Sequence, residues 1–276
     1  MTENSKIVPI LRYNDGTSVQ AQDVVAVEEP LEIRLRYTHQ RQTITKSISV
    51  TMRTPGQDQE LAVGFLFTEG IISGISDVTS VELAGGKTGN VLIVTISSDI
   101  SDRVNKLDRH FYTSSSCGVC GKASIEAIET VCHLHDTKDS ISIDASVLYQ
   151  LPNVLRAQQE VFDRTGGLHG CALFSVNGEL IESMEDVGRH NALDKLIGHF
   201  LNKGKVPMSD NILLLSGRAS FELVQKSVMA GIKVIASVGA PSSLAVQTAD
   251  AFGITLIGFL RDGKANIYTH DHRVQM

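Results

Sequence analysis

The sequence predicts an α/β fold, with a three-layer αβα sandwich around a mixed sheet and a smaller, β-rich α+β domain before it. Two observations favour this fold. In residues 31–37 and 42–51, apolar and polar side chains alternate, as they do in half-buried strands. From residue 171 onward, short apolar runs alternate with helix-length segments, an order typical of a sheet covered by helices on both faces. We place the smaller domain in residues 1–112 and the sandwich in residues 113–276.

The composition is that of an ordinary globular protein, with 276 residues of which 42% are hydrophobic and 20% charged. The formal net charge of -6 argues against binding to nucleic acid or an anionic membrane, because such binding usually requires a basic patch. The first ten residues lack the apolar core of a signal peptide, and no run approaches the roughly 18 apolar residues that span a bilayer. We therefore expect a cytoplasmic protein.

The N-terminal part is predicted to contain two hairpins and one helix. The hairpins pair residues 31–37 with 42–51 and residues 78–83 with 90–97, and the helix covers residues 58–72 between them. The glycine-rich turn at 85–89 is not predicted to bind phosphate, because it lacks the GK[ST] ending of a phosphate loop and no helix follows it.

The C-terminal part is predicted to alternate helices and strands. Residues 144–162 form a helix interrupted at Pro152, and a hairpin turns at Asn177-Gly178 between residues 171–176 and 179–181. The later segments are a helix at 187–201, a strand at 212–215, a helix at 219–230, a strand at 232–238, a helix at 241–252 and a strand at 254–259.

Two cysteines, Cys117 and Cys120, stand among small residues just before a segment with strong helix formers, residues 122–129. A helix N-terminus carries about half a positive charge, which favours a thiolate over a thiol and so lowers the pKa of a cysteine there. The flanking glycines leave the approach to the sulfur open. This pattern indicates a nucleophilic sulfur on a mobile loop.

Other interpretations of the cysteine pair are a thioredoxin-like redox site, half of a structural zinc site, or two ordinary small residues in a turn. The redox site is disfavoured because about a hundred residues precede the pair, and not the single strand of a thioredoxin fold. The zinc site needs two more ligands, and no second CxxC occurs in the chain. We therefore predict no metal, although five side chains are candidates for the missing ligands: Cys132, His133, His135, His169 and Cys171.

Three predicted strand ends carry residues suited to an anionic ligand. Arg189 and His190 open one helix, Ser216 and Arg218 precede the next, and residues 239–243 precede the third. Free N–H groups at helix starts, with an arginine beside them, favour a phosphate or pyrophosphate. Simple helix capping by Ser216 and Ser242 is the alternative explanation.

The order of the predicted elements resembles the cytidine deaminase fold. Zinc deaminases carry H-x-E and P-C-x-x-C motifs at two junctions of that fold. In this sequence the same places contain Arg189-His190-Asn191 and Ser216-Gly217-Arg218, with no cysteine. The chemistry is therefore expected to differ from that of a deaminase.

The sequence strongly resembles the FdhD family of formate dehydrogenase accessory sulfurtransferases, most densely between Cys117 and His270. Five motifs carry the resemblance: residues 116–121 (SCGVCG), 165–171 (TGGLHGC), 185–195 (EDVGRHNALDK), 216–220 (SGRAS) and 258–264 (GFLRDGK). It implies that the protein accepts sulfane sulfur from a cysteine desulfurase and delivers it to the bis-molybdopterin guanine dinucleotide cofactor of formate dehydrogenase.

The resemblance also implies roles for particular residues. Cys117 would carry the persulfide, with Cys120 as relay or second thiol. The segment of Phe259, Leu260, Arg261, Asp262, Gly263 and Lys264 would bind the cofactor, together with the strand-end residues Arg189, His190, Ser216 and Arg218. The family usually ends this segment in Gly-Arg, so Lys264 keeps the charge but loses the two-pronged guanidinium.

The two nucleotide arms of the cofactor fit a homodimer with one pocket per subunit, and GDP is the expected mimic of one arm. Two other functions stay open on the sequence alone. One is a molybdenum cofactor chaperone that transfers no sulfur. The other is a zinc-dependent, deaminase-like hydrolase that uses His169, Cys171 and the cysteine pair.

Overall fold

The computed structural model describes residues 4–84, 89–97, 141–261 and 263–275. The described helices are α1 Asp58–Thr68, α2 Ala145–Leu148, α3 Leu151–Gln158, α4 Glu160–Thr165, α5 Arg189–Asn202, α6 Phe221–Met229 and α7 Ser243–Ala251. The described strands are β1 Ser5–Asn14, β2 Thr17–Ala26, β3 Glu29–His39, β4 Gln42–Arg53, β5 Val78–Ala84, β6 Val91–Ile96, β7 Ile143–Asp144, β8 His169–Ser175, β9 Leu180–Asp186, β10 Asn211–Leu215, β11 Val234–Ser237, β12 Thr255–Arg261, β13 Lys264–Thr269 and β14 Val274–Gln275.

The larger sheet has six strands in the order β13-β12-β11-β10-β8-β9. Strands β10, β11 and β12 run parallel, and the outer pairs are antiparallel, so the sheet is mixed. Helices α5, α6 and α7 contribute buried side chains to one face, while α2 and α3 contribute them to the other. The α/β class is therefore confirmed, and the closer likeness to the deaminase sandwich stays a prediction.

The smaller sheet has the order β4-β3-β6-β5, and its apolar face contacts α1. Inward side chains of β3, such as Leu31 and Ile33, belong to one buried cluster with Leu193 and Leu196 of α5. The two sheets thus share a core, with α1 and α5 between them. The domain boundary near residue 112 lies outside the described residues and stays a prediction.

Helices α1 and α5 cross at two glycines, Gly64 and Gly198. A methyl group on Gly64 would overlap the backbone carbonyl of Asp194, and one on Gly198 would overlap that of Glu60. The helices therefore touch backbone to backbone, which only glycine permits.

We expect Gly64→Ala to lower the free energy of unfolding by about 1–3 kcal/mol or more, because the methyl group forces the two helices apart. Urea denaturation measures the loss. Gly74→Ala is the control, since an added methyl there has its nearest neighbour at 3.9 Å. Equal stability of the two variants would contradict the close crossing.

Most predicted elements are confirmed, and two helix predictions are corrected. The first helix ends at Thr68 and not at residue 72, because Gly70 adopts a left-handed φ of 70° and closes the helix. The prediction of a single helix at 144–162 is wrong. The structure has three short helices there, and Pro152 lies in the first turn of α3, where its missing N–H costs nothing.

Two hairpins were not predicted. One pairs β1 with β2 around Asp15-Gly16, and the other pairs β12 with β13. Within the described residues, no helix combines the length and apolar character needed to cross a lipid bilayer.

Candidate functional site

The candidate site lies at the carboxyl edge of the parallel strands β10, β11 and β12. This edge is where open α/β sheets bind ligands. Ser216 and Arg218 follow β10, Gly239 follows Ser237 at the end of β11, and Phe259 lies near the end of β12. The structure therefore places the SGRAS motif (residues 216–220) and the GFLRDGK motif (residues 258–264) at the same edge of the sheet.

The loop from Asp186 to His190 is held by a buried carboxylate. Asp186 is fully buried and forms an ion pair of 2.7 Å with Lys195 Nζ. It also accepts hydrogen bonds from Thr54 N at 3.1 Å, Gly188 N at 2.8 Å and Asn191 Nδ2 at 3.1 Å. Four partners fix the loop, so the first turn of α5 starts at a set position on the sheet edge.

A second buried pair lies further along α5. Lys226 Nζ contacts Asp194 Oδ2 at 2.9 Å, and Thr68 donates a hydrogen bond of 2.8 Å to the same carboxylate. Asp186, Asp194 and Lys195 are therefore structural members of the EDVGRHNALDK motif. Arg189 and His190 are the members that remain for a ligand.

Arg189 has a buried donor without an acceptor in the described structure. Its Nε is inaccessible to solvent and has no hydrogen-bond partner among the described residues. A buried donor left unpaired costs about 1–3 kcal/mol, and the cost rises for a charged group. This atom is suited to an oxygen of an anionic ligand such as a phosphate.

His190 stands beside Arg189 as a neutral ring. Burial, with the charges of Lys226 and Arg189, lowers the pKa of His190 to about 4, although Glu222 opposes the shift. Its Nε2 lies 3.4 Å from Ser220 Oγ and 3.8 Å from Glu222 Oε2. At neutral pH the ring is therefore a hydrogen-bonding group, and the positive charge of this edge belongs to the arginines.

Ser216 ties β10 to β8. Its Oγ accepts a hydrogen bond of 2.9 Å from Gly170 N, and its own N–H donates to Gly170 O at 2.9 Å. The alternative explanation, capping by Ser216, does not hold, because Ser220 occupies the N-cap of α6. Capping by Ser242 is confirmed by its acceptance of the Ala245 N–H at 3.2 Å. Arg218 is exposed, so its guanidinium is open to a ligand.

Phe259 combines two features that stability alone disfavours. Its φ is 53°, in the left-handed region, which costs on the order of 1–3 kcal/mol for such a residue. Its side chain is 39% exposed, at a shift in the β12–β13 register. Backbone strain of this kind concentrates at ligand sites, and the exposed ring offers a face for stacking.

The other members of the predicted cofactor segment differ in their surroundings. Leu260 is fully buried in the core beneath the sheet. Arg261 and Lys264 are exposed and lie opposite each other in the β12–β13 register. Gly263 has a φ of 72° in the turn, which suits glycine. Asp262 lies outside the described residues. Leu260 is thus placed to support the segment from below.

The cysteine predictions divide between the two parts of the chain. Cys117 and Cys120, with the helix predicted after them, lie outside the described residues. Cys171 is 1% exposed, and burial raises the pKa of its thiol, so it is unsuited to act as a nucleophile. Among the residues that the structure describes, no three His, Cys, Asp or Glu side chains are grouped to hold a metal ion.

His169 was considered only as a zinc ligand, and the structure gives it another position. A methyl group on Gly217 would lie 3.6 Å from His169 Nδ1, so this ring borders the SGR turn. Burial, with the charge of Arg189, lowers the pKa of His169. The TGGLHGC motif, residues 165–171, is the sequence signal that could have indicated a place for His169 at this site.

Comparisons with known proteins identify the family. The profile of the FdhD/NarQ family matches residues 26–275. "Sulfur carrier protein FdhD" of Mycolicibacterium paratuberculosis is 48% identical over 265 residues, which is 94% of each chain. The protein of the same name from Sulfurisphaera tokodaii is 43% identical over 98% of each chain. The chain belongs to the FdhD/NarQ family, which confirms the resemblance.

The fold is also found in a solved structure. A crystal structure described as a formate dehydrogenase accessory protein from Desulfotalea psychrophila matches with a TM-score of 0.76. It covers 99% of this chain and 100% of its own, at 23% sequence identity. This likeness establishes the fold alone.

Proposed function

We propose that this protein is a cytoplasmic sulfur carrier for formate dehydrogenase. Its Cys117 receives sulfane sulfur from a cysteine desulfurase, and the sulfur is then transferred to the bis-molybdopterin guanine dinucleotide cofactor. The protein acts as a homodimer. The names of its relatives support the carrier role, since those proteins are called sulfur carrier protein FdhD. The cofactor is the acceptor substrate of the reaction.

The observation that carries the acceptor proposal is the unpaired, buried Nε of Arg189 at the carboxyl edge of the sheet. A guanosine diphosphate arm would supply the missing acceptor through its phosphates. The exposed ring of Phe259 would stack on the base, and Arg218 and Lys264 would add positive charge. The neutral rings of His169 and His190 would add hydrogen bonds without further charge.

The sulfur chemistry follows from two thiols separated by two residues. The thiolate of Cys117 attacks the outer sulfur of the donor persulfide, forms an S–S bond and releases the donor thiolate. Attack of Cys120 on the inner sulfur of the Cys117 persulfide then closes a 117–120 disulfide and releases sulfide to the acceptor. The two cysteines supply both electrons, and a thiol reductant reopens the disulfide.

GDP is the direct probe of the acceptor site, and calorimetry measures its binding. We expect Arg189→Ala to weaken GDP binding by about 1.5–3 kcal/mol, the value of a hydrogen bond to a charged group. Arg218→Ala should cost less, because its guanidinium is exposed and screened by water.

Arg12→Ala is the charge-matched control, since Arg12 is exposed on the separate β1–β2 hairpin. It should bind GDP as the wild-type protein does. Absence of binding by folded wild-type protein at millimolar GDP would refute the acceptor site.

A further inference from the structure

Ser237, the last residue of β11, places a fully buried hydroxyl between two strand ends. Its Oγ lies 3.0 Å from Gly239 O and 3.1 Å from Ile257 O. A hydroxyl has one proton to donate, so the two carbonyls share it. The hydroxyl therefore ties the loop after β11 to β12, two residues before Phe259.

Gly239 extends this connection to both sides of the candidate site. Its carbonyl also accepts the Phe259 N–H at 3.1 Å, and its own N–H donates to Gly217 O at 2.9 Å. Arg218 follows Gly217 directly in the chain. The peptide groups of Gly239 thus join the strained Phe259 backbone to the turn that carries Arg218.

The backbone around Gly239 and Gly258 is closely packed. A Cβ atom on Gly239 would lie 3.0 Å from both Cγ and the backbone N of Arg218. A Cβ atom on Gly258 would lie 2.8 Å from Pro241 Cδ and 3.3 Å from Gly239 O. Closely packed backbones transmit displacements to their neighbours, so a shift of Gly239 moves Arg218 and Phe259 as well.

We propose that Ser237 is a positioning residue for the nucleotide arm of the acceptor. Through Gly239, it holds the Phe259 ring at a set distance from Arg218, so that base and diphosphate are bound together. Ser237 itself is fully buried and has no surface for a ligand. The inference rests on the proposed function and names the coupling between the two ends of that site.

Calorimetry with GDP on two matched serine variants tests the proposal. Ser227 is also fully buried and donates one hydrogen bond, of 2.7 Å, to Leu223 O within α6. Ser237→Ala and Ser227→Ala each delete one interior hydroxyl, so both should lower the melting temperature. We expect only Ser237→Ala to raise the Kd for GDP, by about tenfold, and Ser237→Thr, which keeps the hydroxyl, to restore affinity.

Gly239→Ala displaces the same peptide without removing a hydrogen bond, and we expect it to weaken GDP binding too. If Ser237→Ala does not fold, GDP binding by Gly239→Ala tests the positioning role instead. Wild-type affinity in Ser237→Ala, or in Gly239→Ala where that variant decides, would overturn the positioning role while leaving the proposed function intact. Failure of the folded wild-type protein to bind GDP would overturn both.

Discussion

Replacing Cys117 by alanine is expected to abolish activation of formate dehydrogenase while the protein still folds. The reason is chemical, because alanine cannot form the persulfide that the proposed transfer requires at this position. Small residues surround this position in the sequence, so the packing loss should be small. Formate dehydrogenase activity in a strain that carries only the variant measures the effect, and circular dichroism checks the fold.

Cys171→Ala is the matched control. Cys171 is buried with a raised thiol pKa, so its loss should lower stability but leave sulfur loading unchanged. Mass spectrometry after incubation with a cysteine desulfurase and cysteine should show a gain of sulfur in Cys171→Ala and none at position 117 in Cys117→Ala. Full activity of Cys117→Ala would instead favour a cofactor chaperone that transfers no sulfur. Cys120→Ala should show a weaker loss, because a relay thiol is sometimes bypassed.

Lys195→Met is expected to destabilise the protein by about 3–5 kcal/mol, because it leaves the carboxylate of Asp186 buried without its cation. Methionine keeps the length of the side chain, so the effect comes from charge and not from a cavity. Urea denaturation followed by circular dichroism measures it.

An exposed ion pair is the control for this loss. Arg156 and Asp163 pair at 2.6 Å with side chains 51% and 54% exposed. Arg156→Met should therefore cost no more than about 1 kcal/mol. If Lys195→Met were equally mild, the buried pair would not be what holds the Arg189 loop.

Local pattern was sufficient to predict most of the fold. Alternation of apolar residues located the β3–β4 and β5–β6 hairpins, and Asn177-Gly178 located the turn before β9. The β1–β2 hairpin was missed although Asp15-Gly16 is a strong turn signal. Its strands are mostly exposed on both faces, so they lack the apolar alternation that identifies a half-buried strand.

Long-range contacts account for what the sequence could not predict. Strand β9 continues to Asp186, beyond the predicted end at 181, although Glu185 and Asp186 disfavour strands. Asp186 is tolerated there because Lys195 and the Thr54 N–H neutralise and bind it, and neither partner is evident from local sequence. The same reasoning applies to Phe259, whose left-handed backbone donates its N–H to the Gly239 carbonyl in the loop after β11.

The loop that bears Arg189 is anchored to strand β4 and the turn after it. Asn191 Nδ2 donates to Met52 O at 2.7 Å, and Lys195 Nζ donates to Thr54 O at 2.9 Å. Arg189 and His190 belong to the C-terminal part of the chain, yet the loop that bears them is held by residues of the N-terminal part. In chimeras between family members, residues 51–54 and 186–195 should accordingly be exchanged together, because either segment alone would arrive without the partners that give it its shape.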